Sequence, residues 1–174
     1  MESTEHINRN YKDTIFRMLF RNRKELLELY NALNDSSYSD PEDLEIRTLE
    51  DAVYMKFKND VSFLLHSDLF LYEHQSTKAP NMPLRMLFYV ADLLQGIVPE
   101  EKLYSRSLYP IPEPHFVVFY NGRDSLPETS EYTLSSLYEK NRESRSRRRE
   151  RDCGNPMLEL KVTVLNINWG MNKN

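Results

Sequence analysis

Residues 58–75 read KNDVSFLLHSDLFLYEHQ, and this stretch decides the fold class. Asn59 marks a turn, Asp60 to Leu65 forms a run of strand length, and Leu69 to Gln75 gives a second strand after His66, Ser67 and Asp68. Residues i and i+2 of a strand point to one face, so Glu73 and Gln75 project together and His74 projects to the other side. With a two-residue turn at Ser67 and Asp68, Asp60 stands opposite Gln75 and diagonal to Glu73. Diagonal neighbours lie ~7–8 Å apart between Cα atoms, close enough for two converging carboxylates to share one cation. A turn of odd length sends Asp60 and Glu73 to opposite faces. Two carboxylates with a polar neighbour are what Mg²⁺-assisted phosphodiester hydrolysis requires, because the ion binds a phosphate oxygen and offsets the charge that develops there. The competing reading is a solvent-facing Glu-x-Gln edge and an ordinary turn aspartate. Spacing leaves both open.

Upstream, Tyr11 to Phe20 places Ile15, Met18 and Leu19 on one helical face. Asn22 is an expected N-cap with Glu25 three residues later, followed by the helical stripe Leu26, Leu29, Tyr30 and Leu33. Asn34 to Pro41 reads as a loop, and alternation at Val53, Met55 and Phe57 predicts a strand. Downstream, Leu84, Leu87, Phe88, Ala91 and Leu94 repeat at helical spacing over Met82 to Gln95, with Gly96 expected as the terminator. Pro110, Pro112 and Pro114 make a stiff connector into the buried-strand pattern from His115 to Tyr120, which ends in a turn at Asn121 and Gly122. Leu158, Leu160, Val162 and Val164 alternate as a last strand. The order αα-βββ-α, continued by strands, is that of an α/β domain.

The chain of 174 residues suits one domain of ordinary size. Its four glycines, at 96, 122, 154 and 170, are too dispersed for a P-loop or a GxGxxG turn. Cys153 stands alone, so there is no internal disulfide and no CxxC site, which fits a reducing compartment. His6, His66, His74 and His115 never fall in HExxH spacing. The acidic start and the lack of a long apolar run lead to the expectation of a cytoplasmic protein with no membrane partner. Net charge is −4, but residues 140–151 carry seven basic side chains against two acidic ones, a block of +5 that leaves −9 for the remainder. Such a block is either a solvated linker or a phosphate contact.

The segments KNDVSFL (58–64), LYEHQST (71–77) and PNMPLRMLFY (80–89) resemble the Rpn family of recombination-promoting nucleases, also called putative transposases, of the PD-(D/E)XK superfamily. KDTIFRMLF (12–20), FVVFYNG (116–122) and LELKVTVLNIN (158–168) add to the likeness. The resemblance implies a PD-(D/E)XK nuclease-like αβββαβ core, a mixed sheet flanked by helices, acting as a Mg²⁺- or Mn²⁺-dependent DNA endonuclease in recombination or mobile elements. Asp60 matches the first acidic position, Glu73 the second, and the backbone carbonyl of His74 a further metal ligand. Gln75 takes the place of the motif lysine, and Asp13, Arg85 and Tyr89 match supporting or DNA-contacting positions. The implied division is a nuclease-like core over 1–126, a polar, Arg-rich linker over 127–156 and a C-terminal strand segment over 157–174. Relatives commonly continue into further helices, so a shortened copy is expected. DNA is the expected partner, with a homodimer open. The alternative is a catalytically inactive DNA-binding or interaction protein of the same fold.

Overall fold

The computed structural model describes residues 14–47, 60–139 and 156–171. Asp13, the strand expected from Val53 and the arginine block lie outside the described residues. Helix α1 covers 14–20 and α2 spans Arg23–Asn34. A 3-10 turn (Pro41–Asp43) leads into β1 (Leu44–Ile46), followed by β2 (Val61–Leu65) and β3 (Asp68–Gln75). Helix α3 (Met82–Ile97) and the single turn α4 (Glu100–Leu103) precede β4 (Glu113–Tyr120), β5 (Thr129–Thr133) and β6 (Lys161–Asn166). The strands form one six-stranded mixed sheet in the order β1-β2-β3-β4-β6-β5. The β3/β4 and β4/β6 pairs are parallel and the others antiparallel. The fold is therefore α/β with helices on both faces of the sheet.

Local sequence explains most of these boundaries. Asn22 caps α2 by accepting a hydrogen bond from the Lys24 amide, and Asp35 closes it in the left-handed conformation at φ 48. Pro83 is tolerated in the first turn of α3, where amides lack intrahelical partners anyway. Gly96 does not end this helix as expected. It lies inside α3, which stops at Val98 because Pro99 disfavours helical backbone in the residue before it. Pro114 fits within β4 because pairing to β6 begins only at Val117, so the missing N–H costs no ladder bond on that side.

The register at the centre differs from the expected one. The hairpin turn is His66 and Ser67, one residue earlier than the sequence reading placed it, and His66 supplies the left-handed φ of 56 that tight hairpins need. Val61 consequently faces Tyr72, and one further step sets Asp60 opposite Glu73 rather than opposite Gln75. Both turns contain two residues, so the parity that keeps Asp60 and Glu73 together is unchanged.

Two strands went unseen in the sequence. β1 pairs with β2 at the edge, and β5 lies within the stretch expected as linker, antiparallel to β6. The last strand starts at Lys161 rather than Leu158.

Apolar residues divide by strand parity. Leu69, Leu71, Val118, Tyr120, Val162 and Val164 pack beneath Met82, Met86, Tyr89 and Leu93 of α3. Val61, Phe63, Leu65, Phe70, Tyr72 and Phe119 pack on the other face beneath Phe16, Leu26 and Leu27 of α1 and α2. Among the described residues no helix is long and apolar enough to cross a membrane.

Gly122 closes the loop after β4. A Cβ there would collide with the Ser76 carbonyl oxygen, a backbone atom that cannot swing aside, and with the Tyr120 hydroxyl. Gly122→Ala is expected to cost ~1–3 kcal/mol, or roughly 3–10 °C in melting temperature. An unchanged melting curve would show that the loop relaxes freely.

Candidate metal site at the end of the central strands

The ends of β2 and β3 bring Asp60 and Glu73 together. The Asp60 amide donates to Glu73 Oε1 at 3.1 Å, and Asp60 Oδ2 accepts from the His74 amide at 2.8 Å. The Asp60 side chain is 12% exposed and Glu73 only 2%. Gln75 shares the Glu73 face, and its side-chain amide helps to lower the Glu73 pKa. His74 points the opposite way, its ring 5.6 Å from that of Phe16, as the i, i+2 parity predicts. An extended residue directs its N–H and C=O to the same side, so the His74 amide bond to Asp60 also turns the His74 carbonyl towards the Asp60 edge.

Arg85 and Tyr89, one turn apart on α3, close the site from above. Arg85 Nη2 donates to Glu73 Oε2 at 3.2 Å and to the Tyr89 hydroxyl at 2.9 Å, while Nε reaches the same hydroxyl at 3.3 Å. Tyr89 is buried, so it fixes the guanidinium fork from within the core. A second arginine approaches from the other face of the sheet: Arg17 Nε of α1 lies 3.5 Å from Asp60 Oδ1.

Burial first, and then the adjacent Asp60 carboxylate, push the Glu73 pKa up from 4.5 to about 8. Arg85 and the bonds from Asp60 and Gln75 pull it down without cancelling that rise. Burial works against the Arg85 charge, but Glu73 and the Tyr89 hydroxyl hold its pKa above the usual guanidinium value. The Tyr89 hydroxyl is pushed up by burial and then by Glu73.

The site lies at the carboxyl ends of the parallel strands β3 and β4, where open α/β sheets characteristically bind their ligands. A cavity of about 660 Å³ elsewhere is lined by Phe70, Tyr72, Val90, His115 and Phe116, and includes none of the site residues. It opens where β4 and β6 are still unpaired.

The structure thus gathers Asp60, Glu73, Gln75, Arg85 and Tyr89, with Arg17 as a residue the sequence reading missed. Nothing in the sequence placed α1 over the start of β2, so Arg17 carried no signal beyond its charge. A second donor cluster was also missed. Asp68, Glu113 and His115 bring their ligand atoms within 4.8 Å of one another at the opposite end of β3 and β4. The His115 ring stacks on Phe70, and its Nε2 lies 3.2 Å from Asp68 Oδ1. Parallel pairing of Asp68 with Glu113 creates this cluster, and sequence separation conceals it. Comparison with protein-family models, with curated proteins and with solved structures finds no match for this chain.

Proposed function

We propose that the protein is a divalent-metal-dependent DNA endonuclease on a PD-(D/E)XK-like core, of the kind linked to recombination or mobile elements, as the resemblance to recombination-promoting nucleases implies. The observation that carries this reading is the pairing of Asp60 with Glu73. A carboxyl only 2% exposed is kept beside a second carboxylate, an arrangement costly for folding and useful for holding a cation.

The donor set fits Mg²⁺ or Mn²⁺, since Asp60, Glu73 and the His74 carbonyl all offer hard oxygen. When bound, the ion supplies Lewis-acid stabilisation of the phosphodiester and activation of a water. Gln75, an uncharged amide beside Glu73, orients the attacking water by hydrogen bonding and leaves the phosphate charge to other groups. Arg85 carries a charge held by Tyr89 and remains 33% exposed, which suits it to a phosphate oxygen. The open end of the sheet accommodates a polymer backbone better than a closed cavity would.

A second reading, a non-catalytic DNA-binding protein of the same fold, draws support from one fact. The Asp60 and Glu73 carboxylate oxygens already have protein donors within 3.5 Å. Plasmid cleavage separates the two. The wild type is expected to nick DNA with Mg²⁺ and not with EDTA, Asp60→Ala to be inactive, and His115→Ala, at the distant donor cluster, to cleave normally. Equal cleavage by Asp60→Ala and wild type would overturn the nuclease reading, and DNA binding with neither Mg²⁺ binding nor cleavage would favour the second.

A further inference from the structure

We infer that Arg17 is a phosphate-binding residue of the metal-loaded site, held on Asp60 until a divalent cation takes over that carboxylate. The inference rests on the nuclease reading and adds to it a residue and a coupling.

Arg17 and Arg85 arrive from helices on opposite faces of the sheet and meet the same pair of acidic side chains. Their restraint differs. Arg85 is fixed by Glu73 and by two bonds to the buried Tyr89 hydroxyl. Arg17 approaches Asp60 at 3.5 Å, longer than a charge-assisted hydrogen bond, and its side chain is 39% exposed. A guanidinium partly exposed beside this carboxylate is also within reach of an anion arriving from solvent.

Charge bookkeeping gives the direction of the switch. Without a cation, Arg17 stands on Asp60 and Arg85 on Glu73. A divalent ion neutralises both carboxylates and leaves two positive charges at the site, complementary to the phosphodiester backbone of a nucleic acid. Asp60 shared with the ion is a weaker partner for Arg17, whose side chain, partly exposed, can turn its guanidinium to the backbone. Binding of metal and of DNA must then strengthen each other, because linkage is reciprocal.

The test measures the affinity of a fluorescein-labelled DNA duplex by anisotropy, in Ca²⁺ to suppress hydrolysis and in EDTA, over a range of salt. For the wild type, Ca²⁺ is expected to tighten binding by about tenfold or more. In Arg17→Gln most of that gain should disappear. The slope of log K against log salt should become shallower by ~0.9 in Ca²⁺ and stay the same in EDTA. Arg17→Lys should restore the slope, and matching melting temperatures for the three proteins would show that folding is intact. An equal loss of slope in Ca²⁺ and EDTA, or no loss in either, overturns the inference. If the wild type shows the Ca²⁺ gain and Mg²⁺-dependent cleavage while Arg17→Gln behaves identically, the inference fails alone. If the wild type shows neither, the nuclease reading fails with it.

Discussion

Glu73→Gln is expected to lower Mg²⁺-dependent cleavage of plasmid DNA by at least ~10²–10³-fold, the scale on which removing one electrostatic partner of a reacting centre is felt. The substitution is nearly isosteric. An amide oxygen can still accept from the Asp60 amide, and Arg85 retains the Tyr89 hydroxyl, so the fold and the α3 contact survive. What disappears is a negative charge. A cation facing one carboxylate and two neutral oxygens is bound far less tightly than one facing two carboxylates. Gln75→Lys is expected to retain much more activity, because on the proposed reading it supplies the residue usual at the matching position of the nucleases that the chain resembles. Single-turnover rates under saturating Mg²⁺ make the comparison. A Glu73→Gln rate equal to that of the wild type would remove Glu73 from the chemistry.

Strand parity explains why so much of this site is legible in the sequence. Glu73, His74 and Gln75 alternate whatever the register, and an even turn keeps Asp60 with Glu73 whether it falls at His66 and Ser67 or one residue later. The position of the turn was misjudged because His66 at positive φ leaves no glycine in the sequence to mark it. β1 was illegible for a different reason: three residues give no periodicity, and only pairing of Leu44 with Leu65 makes Leu44–Ile46 a strand. β5 reads TSEYT, with one large apolar side chain, and draws its order from β6 rather than from its own pattern. Arg85 and Tyr89, four apart on α3, are singled out by the resemblance alone. Their connection to Glu73 depends on how α3 crosses β3, which is long-range information that periodicity does not carry. Arg17 and the Asp68, Glu113 and His115 cluster belong to the same class of tertiary facts.

The metal-free protein is expected to lose stability as pH rises from about 5 to about 8, and Glu73→Gln to remove that loss. Burial and then the Asp60 carboxylate raise the Glu73 pKa, Arg85 and the polar groups of Asp60 and Gln75 lower it, and the balance leaves it at about 8 against 4.5 for an ordinary glutamate. Below 4.5 both the folded and unfolded chains carry the proton, so Glu73 imposes no penalty. Between the two values the unfolded chain ionises while the folded one holds its proton, and stability falls. Above about 8 both are ionised and the loss levels off. The difference is on the order of 2–4 kcal/mol, or roughly 5–15 °C in melting temperature. Glutamine stays neutral in both states, so melting curves in EDTA should coincide for the two proteins at pH 5 and diverge in favour of Glu73→Gln at pH 9. Parallel curves over that range would mean that Glu73 ionises normally in the fold. Saturating Mg²⁺ at pH 9 should then recover the lost melting temperature of the wild type and leave Glu73→Gln almost unmoved. A ligand that binds only the folded carboxylate pair stabilises by mass action, and the variant offers only half of that pair.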